Sequence, residues 1–136
     1  MKPIQILSFF IVIGVIFANN CAAKSSEITK GEEVYRQYCQ GCHGIKAIGQ
    51  DPENPNGGLN DEDQYIAPAL NGKGHTWHHP PIFLFQQIKN RKINKSSPMP
   101  PFSDILSDDE INAVIAYIKS LWPDEIRKKY YEKFNE

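Results

Sequence analysis

The run Cys39-Gln40-Gly41-Cys42-His43 carries the most specific chemistry in this chain of 136 residues. Two cysteines three positions apart lie on one face of a helix, so one turn presents both thiols and the adjacent imidazole. This spacing is typical of a c-type haem attachment site, where both sulfurs form thioethers and the histidine is an axial iron ligand. A zinc site would need two more ligands at finger-like spacing, and a redox-active dithiol would lie near a βαβ pattern that the sequence lacks. The motif therefore predicts one covalently attached haem c.

Length and charge limit the chain to one small domain preceded by a targeting segment. The formal net charge is −1, which argues against general nucleic-acid binding. Met1-Lys2-Pro3 precedes an apolar run at residues 4–18, so residues 1–23 are predicted to be an export signal, and the run is short for a membrane span. Because c-type haem is attached on the extracytoplasmic side, we expect a periplasmic or otherwise extracytoplasmic protein.

Cys21 follows the apolar run directly, and the sequence leaves its fate open. Ala18-Asn19-Asn20-Cys21 is a candidate lipoprotein site that would leave Cys21 acylated, although Asn20 stands where such sites favour Gly or Ala. Cleavage after Ala22 or Ala23 would discard Cys21 with the signal, and an uncleaved segment would act as an anchor. Membrane attachment through Cys21 or the N-terminal segment is therefore one alternative among these.

Short helices joined by polar loops are predicted for a domain at residues 24–123. Thr29-Lys30-Gly31-Glu32 has the form of a capping box, which predicts that a first helix starts at Thr29 and ends with the haem motif before Gly44. Residues 49–64 contain Gly, Pro, Asn and five acidic groups and are predicted to be a loop. Pro80-Pro81 is expected to open a short helix.

The C-terminal part of the sequence contains the clearest helix. The proline-rich segment at residues 96–101 excludes helix and central strand. Ser107-Asp108-Asp109-Glu110 then forms a second capping box, followed by an apolar stripe that ends before Pro123: Ile111, Val114, Ile115, Ile118 and Leu121. Apolar residues four apart predict a further amphipathic helix in the tail at residues 124–136, and whether it packs on the domain or on a partner is left open.

The second axial position of the iron has one leading candidate. Once the signal is removed, Met99 is the only methionine of the chain, and it lies in the proline-rich segment. A thioether opposite His43 would favour ferrous iron and raise the potential. One alternative is that Met99 only fills a gap in the packing. The other is a second histidine from the cluster His75, His78 and His79, which would lower the potential.

With these residues in place, the chain resembles the class I c-type cytochromes of bacteria over residues 28–122. The motifs that carry the resemblance are the haem run, Ala67-Pro68-Ala69-Leu70, Pro98-Met99-Pro100 and the closing helix. It implies an all-α, small cytochrome c fold with short helices around one covalently bound haem and with the N- and C-terminal helices packed crosswise. It also implies that Pro68 accepts the Nδ1–H of His43 and that Leu70 packs against the haem face.

Further details follow from the same resemblance. Gly31 and Tyr35 are expected to contact Val114 and Tyr117, with glycine allowing close backbone approach. Trp77 is expected either to donate its indole N–H to a haem propionate or to pack in the haem pocket. The chain departs from the family pattern in a longer acidic loop at residues 51–63, in Arg91 where many relatives have glycine, and in the tail.

These features together predict a monohaem c-type cytochrome that transfers single electrons between extracytoplasmic redox partners through a His/Met-ligated haem. Such an electron carrier is not an enzyme. A cationic run precedes Met99 and is either a docking face for redox partners or a solvated helix end: Lys89, Arg91, Lys92 and Lys95. Two alternatives stay open. One is a haem subunit of a larger oxidoreductase, and the other is a peroxidase-like open site with His78 or His79 handling protons.

Overall fold

The computed structural model describes residues 23–91 and 98–135, and these residues are mainly helical. The α-helices of this described part are α1, described over residues 23–38, α2 (Gln40–His43), α3 (Pro81–Asn90), α4 (Asp108–Ser120) and α5 (Asp124–Phe134). Two 3₁₀ turns lie at Ile45–Ala47 and Thr76–His78. Strand β1 (Gly58–Leu59) pairs antiparallel with β2 (Tyr65–Ile66). The all-α prediction is confirmed, and the hairpin is a small addition in and beside the predicted loop.

The predicted start of the first helix at Thr29 is wrong. Residues 23–28 are also helical, and the Thr29 hydroxyl donates to the carbonyl of Ser25, 3.0 Å away. Threonine makes this bond to the fourth preceding carbonyl inside helices, whereas a capping threonine would accept from the backbone ahead of it. A capping-box pattern therefore indicates a helix start only where the preceding residues are not helical.

Helices α1 and α4 contact each other at Gly31, as the resemblance implies. A Cβ on Gly31 would lie 2.0 Å from the carbonyl oxygen of Ala113 and 2.9 Å from Cβ of Tyr117, so only glycine fits at this approach. The rings of Tyr35 and Tyr117 lie 5.3 Å apart beside it, and both tyrosines are buried. This contact joins the helix that leads into the haem motif to the helix at the centre of the core.

The second capping box forms as predicted. Ser107 Oγ accepts the N–H of Glu110 at 3.3 Å, and the Ser107 N–H donates to Glu110 Oε2 at 2.9 Å. Four of the five stripe residues are buried in the core, and the fifth is half-buried: Ile111, Val114, Ile115 and Ile118, then Leu121. Local capping and burial of one helix face therefore fix α4.

Helix α3 begins and ends as its sequence suggests. Pro80 is its N-cap and Pro81 its first residue, where a missing N–H costs no helical hydrogen bond. It ends at Arg91, which has φ of 47° in the left-handed region. Glycine reaches this conformation without steric cost, so Arg91 occupies a position that would suit glycine.

The tail packs on the domain. Tyr130 of α5 is fully buried, with its ring 4.9 Å from that of Trp122 and 4.8 Å from that of Phe134. The Lys119 ammonium of α4 lies 4.7 Å from the Tyr130 ring centre, a cation–π distance. Helix α5 therefore covers the end of α4.

Candidate haem site

The two cysteines of the motif lie at a helix break. After α1 the chain turns at Cys39, whose carbonyl accepts the N–H groups of Cys42 at 3.2 Å and of His43 at 2.9 Å. Both thiols are free, Cys39 being half-buried and Cys42 exposed. Burial, with a smaller contribution from Cys42, raises the pKa of the Cys39 thiol to about 11. Two thiols and one imidazole are thus presented by one turn, as the spacing predicts.

A tight reversal follows His43 and is held by main-chain bonds. Gly44 has φ of 76°, and a Cβ there would lie 2.6 Å from the carbonyl oxygen of Gly49. The Gly49 N–H donates to the His43 carbonyl at 2.8 Å, and the Tyr35 hydroxyl donates to the Gly44 carbonyl at 2.8 Å. Burial raises the pKa of Tyr35, so its hydroxyl stays protonated and remains a donor. The buried side of α1 is therefore joined by a hydrogen bond to the turn that follows α2.

The His43 ring is buried and oriented by Pro68. Its Nδ1 lies 2.8 Å from the Pro68 carbonyl oxygen, which has no proton to give, so Nδ1–H is the donor and Nε2 keeps its lone pair. Burial lowers the pKa of His43 and outweighs the opposite effect of the Pro68 carbonyl. A neutral imidazole with Nε2 unprotonated is the form that ligates a metal.

Backbone hydrogen bonds place the segment that carries Pro68. The N–H of Leu70 donates to Ala47 and that of Ala69 donates to Pro55, both at 2.9 Å. Gln50 donates its N–H to the Ala67 carbonyl and accepts the Ala67 N–H on its side chain, both at 3.1 Å. Sequence reasoning missed Ala47, Gln50 and Pro55, since all three bond main-chain groups of this segment, and such bonds leave no residue-type pattern.

Leu70 is held from a second direction by Trp122. The Trp122 indole N–H donates to the Leu70 carbonyl at 2.7 Å, across 52 positions of sequence. Trp122 is buried and Leu70 is half-buried against the core. The sequence marks Trp122 only as the end of the α4 pattern, so this bond was not predicted.

Met99 lies half-buried against the same core that Cys39, Leu70 and Trp77 border. Its carbonyl accepts a long hydrogen bond of 3.4 Å from Nη1 of Arg91. Three residues later, the Phe102 N–H donates to the Ile88 carbonyl near the end of α3 at 3.1 Å. The segment at residues 98–101 is neither helix nor strand, as its prolines predict.

The three other histidines lie on the turn at Thr76–His78 and beside it. His75 and His78 are exposed, and the His78 ring lies 3.8 Å from the Trp77 ring. His79 is half-buried and stacked on Phe83 at 4.0 Å. Burial and then the nearby charges of His75, His78 and Lys133 lower the pKa of His79.

The cationic run is only partly described. Lys92 and Lys95 lie outside the described residues, as do Cys21 and all but the last residue of the predicted signal at residues 1–23. Lys89 forms an ion pair with Asp108 at 2.6 Å, and Arg91 is half-buried. Lys89 is therefore engaged within the chain.

The donor set of the motif fits a covalently attached haem. Cys39 and Cys42 offer free thiols for thioether bonds, and His43 offers a neutral imidazole with Nε2 available. The apolar side chains of Leu70 and Met99 border the same core as Cys39. Both the donor atoms of the motif and its apolar neighbours therefore suit a covalently bound haem.

Comparison with known proteins identifies one family. The family model described as "Cytochrome C oxidase, cbb3-type, subunit III" matches residues 26–118, which include the haem motif, Pro68, Met99 and nearly all of α4. The match ends before Trp122 and α5. No solved structure matches the chain.

Proposed function

This chain belongs to the family of cbb3-type cytochrome c oxidase subunit III domains, a family of haem-binding electron-transfer cytochromes of c type, and from that premise we propose that it carries single electrons on one His/Met-ligated haem. The buried His43 imidazole, fixed by Pro68 within a Cys-x-x-Cys-His turn, is the observation on which the proposal depends. When bound, haem c supplies an Fe(III)/Fe(II) couple that takes up and releases one electron.

The proposed role of His43 follows from its surroundings. The Pro68 carbonyl holds the Nδ1 proton and leaves Nε2 to act as the ligand atom. Because the ring is buried and its pKa is lowered, protonation does not compete with ligation near neutral pH. The Tyr35 bond to Gly44 and the Gly49 bond to His43 limit movement of the turn, so little reorganisation accompanies a change of oxidation state.

Met99 is the second side chain that would hold the haem iron, together with His43. It is half-buried at the core that Cys39 and Leu70 also border, whereas His75 and His78 are exposed and His79 is stacked on Phe83. Thioether ligation favours Fe(II) and a high potential, which suits an electron carrier with oxidising partners.

The visible and near-infrared spectrum of the oxidised, haem-loaded full chain tests this ligation. We expect a far-red sulfur-to-iron charge-transfer band that is lost in Met99→Ala and kept in the control His78→Ala. A low-spin spectrum without that band would transfer the ligand role to a histidine. A high-spin spectrum would contradict a saturated iron and with it the electron-carrier proposal.

A docking role is proposed for the cationic run, of which the described residue Arg91 lies next to Met99. Arg91 donates to the Met99 carbonyl, so its positive charge lies near the proposed ligand, whereas Lys89 is paired with Asp108. An acidic redox partner would be steered there, and transfer rates would fall as salt rises. Charge reversal at Lys92 and Lys95 should reduce the salt dependence of the electron-transfer rate. Rates that do not change with ionic strength would contradict docking through the cationic run.

A second candidate function is a haem subunit of a larger oxidoreductase, which the description of the matched family favours. The haem chemistry is the same, and the difference is a stable partner. No helix among the described residues has the length and apolar character needed to cross a membrane. We propose an extracytoplasmic location. Attachment to the membrane through Cys21 or the N-terminal segment is one alternative for how the protein is held there. Native purification under mild detergent separates the two functions: a stable large complex supports the subunit, and a monomeric cytochrome supports the free carrier.

A further inference from the structure

We propose that Trp122 is a positioning residue for His43, acting through Leu70 and Pro68. The inference rests on the proposed ligation of iron by His43 and adds a residue outside the matched range 26–118 to the determinants of that ligand. The Trp122 indole fixes the Leu70 carbonyl, and the same short segment carries the Pro68 carbonyl that orients the imidazole.

The Leu70 peptide is clamped from two sides. Its N–H donates to Ala47, in the 3₁₀ turn that follows the haem motif, at 2.9 Å. Its carbonyl accepts the Trp122 indole N–H at 2.7 Å, and the indole is only 2% exposed. Because the buried indole covers the Leu70 carbonyl, water has poor access to it. Loss of the indole N–H would therefore leave this carbonyl without a hydrogen-bond donor.

Trp122 is in turn fixed by the tail. The Tyr130 ring contacts it edge-on, with centres 4.9 Å apart and planes at 67°. A Cβ on Gly72, which has φ of 93°, would lie 2.9 Å from Cδ of Pro123, so the loop after Leu70 also touches the residue after Trp122. Arg127 of α5 donates to the Ser120 carbonyl at the end of α4, 3.1 Å away. Helix α5 thus holds the indole in the direction of Leu70.

The expected effect on the ligand follows from the hydrogen bond at His43 Nδ1. Trp122→Phe keeps most of the ring volume and removes the N–H donor, so the segment at residues 68–70 is held from one side only. The Nδ1–H bond to Pro68 then weakens, and the imidazole becomes a poorer electron donor. A poorer donor at the iron favours the ferrous form, so the reduction potential rises.

Two measurements on the haem-loaded full chain test the proposal. The first is the solvent-exchange rate of the His43 Nδ1 proton, by NMR of the diamagnetic ferrous protein, and the second is the midpoint potential. We expect exchange about fivefold to tenfold faster in Trp122→Phe, the equivalent of one neutral hydrogen bond, together with a higher potential. The matched control Ile111→Val removes a buried methyl group from the first turn of α4 and should change neither quantity.

Tyr130→Leu provides a second route to the same answer. It keeps the indole N–H but removes the ring that packs edge-on against the indole. We therefore expect a smaller acceleration of exchange of the His43 Nδ1 proton. If Trp122→Phe does not accumulate as folded protein, this variant is measured in its place. An unchanged exchange rate, or an unchanged or lowered potential, in a correctly ligated Trp122→Phe protein would overturn the proposal. Failure of the proposed function is distinguishable, because the wild-type protein would then lack an iron-bound His43 signal before any variant is compared.

Discussion

Replacement of Gly31 by alanine perturbs the contact on which the haem motif depends for its position. The added methyl group would lie 2.0 Å from the Ala113 carbonyl oxygen and 2.9 Å from Cβ of Tyr117. Ordinary carbon contacts are near ~3.5–4.0 Å, so α1 and α4 must separate by more than about 1 Å. The nearest obstacle is backbone and has no rotamer to change.

The magnitude follows from three contributions. Overpacking of this severity belongs at the upper end of its usual cost, about 3 kcal/mol. Separation also loosens the burial of Tyr35 and Tyr117, at about 1 kcal/mol. Alanine returns about 1 kcal/mol through its higher helix propensity. The free energy of unfolding should therefore fall by about 3 kcal/mol, or roughly 10–20 °C in Tm.

Guanidinium unfolding of the haem-loaded protein, followed by far-UV circular dichroism, measures this change. Gly41→Ala is the matched control, because Gly41 is also helical and a Cβ there would meet nothing within 4 Å. That variant should be unchanged or stabilised by up to about 1 kcal/mol. A Gly31→Ala protein as stable as the wild type would refute the close approach of α1 and α4.

Three further predictions use the same unfolding assay. Ser107→Ala removes the acceptor for the Glu110 N–H and should cost about 1 kcal/mol, whereas a loss near zero would mean that the cap is not formed in solution. Tyr35→Phe leaves the Gly44 carbonyl without its donor and should cost about 1–2 kcal/mol, and equal stability would show that water replaces the hydroxyl. Tyr130→Ala opens a cavity at a fully buried ring and should cost about 3–5 kcal/mol, while a surface-like cost below 1 kcal/mol would place the tail off the domain.

Local patterns predicted those parts of the fold that local chemistry determines. The capping box at Ser107, the prolines opening α3 and the apolar stripe of α4 each act within a few residues, and each forms as expected. The Thr29 box failed for the converse reason. Its threonine bonds backward to Ser25, and the pattern contains no information on whether residues 23–28 are helical.

In the candidate site too, the residues of a local motif were predictable and the groups that hold them in place were not. The motif indicated Cys39, Cys42 and His43 from their spacing, and the resemblance supplied Pro68, whose carbonyl lies 2.8 Å from the His43 ring. What holds Pro68 there was not predictable. Its supports are main-chain groups, such as the Ala47 carbonyl in a left-handed residue with φ of 59°, and contacts distant in sequence.

The supports of the tail were equally hidden, since a pattern of apolar residues four apart predicts a helix and not its destination. Tyr130 is buried because Trp122 and Lys119 present an aromatic edge and a cation to its ring. Those partners become adjacent only after Pro123 redirects the chain from α4 into α5.

The two proposed ligand sides of the haem site are held by different kinds of contact. On the His43 side, the Pro68 carbonyl accepts the imidazole Nδ1–H at 2.8 Å, and main-chain bonds of 2.8–2.9 Å at Gly49 and Leu70 hold the turn and the segment that carries Pro68. On the Met99 side, the bonds include one of 3.4 Å from Arg91 to the Met99 carbonyl and one from the Phe102 N–H to Ile88. Residues 98–101 lie outside the Cys-x-x-Cys-His turn that would hold the haem covalently. Changes there should therefore retune the potential or open the iron without loss of haem attachment, whereas changes that release Pro68 should affect attachment geometry and potential together.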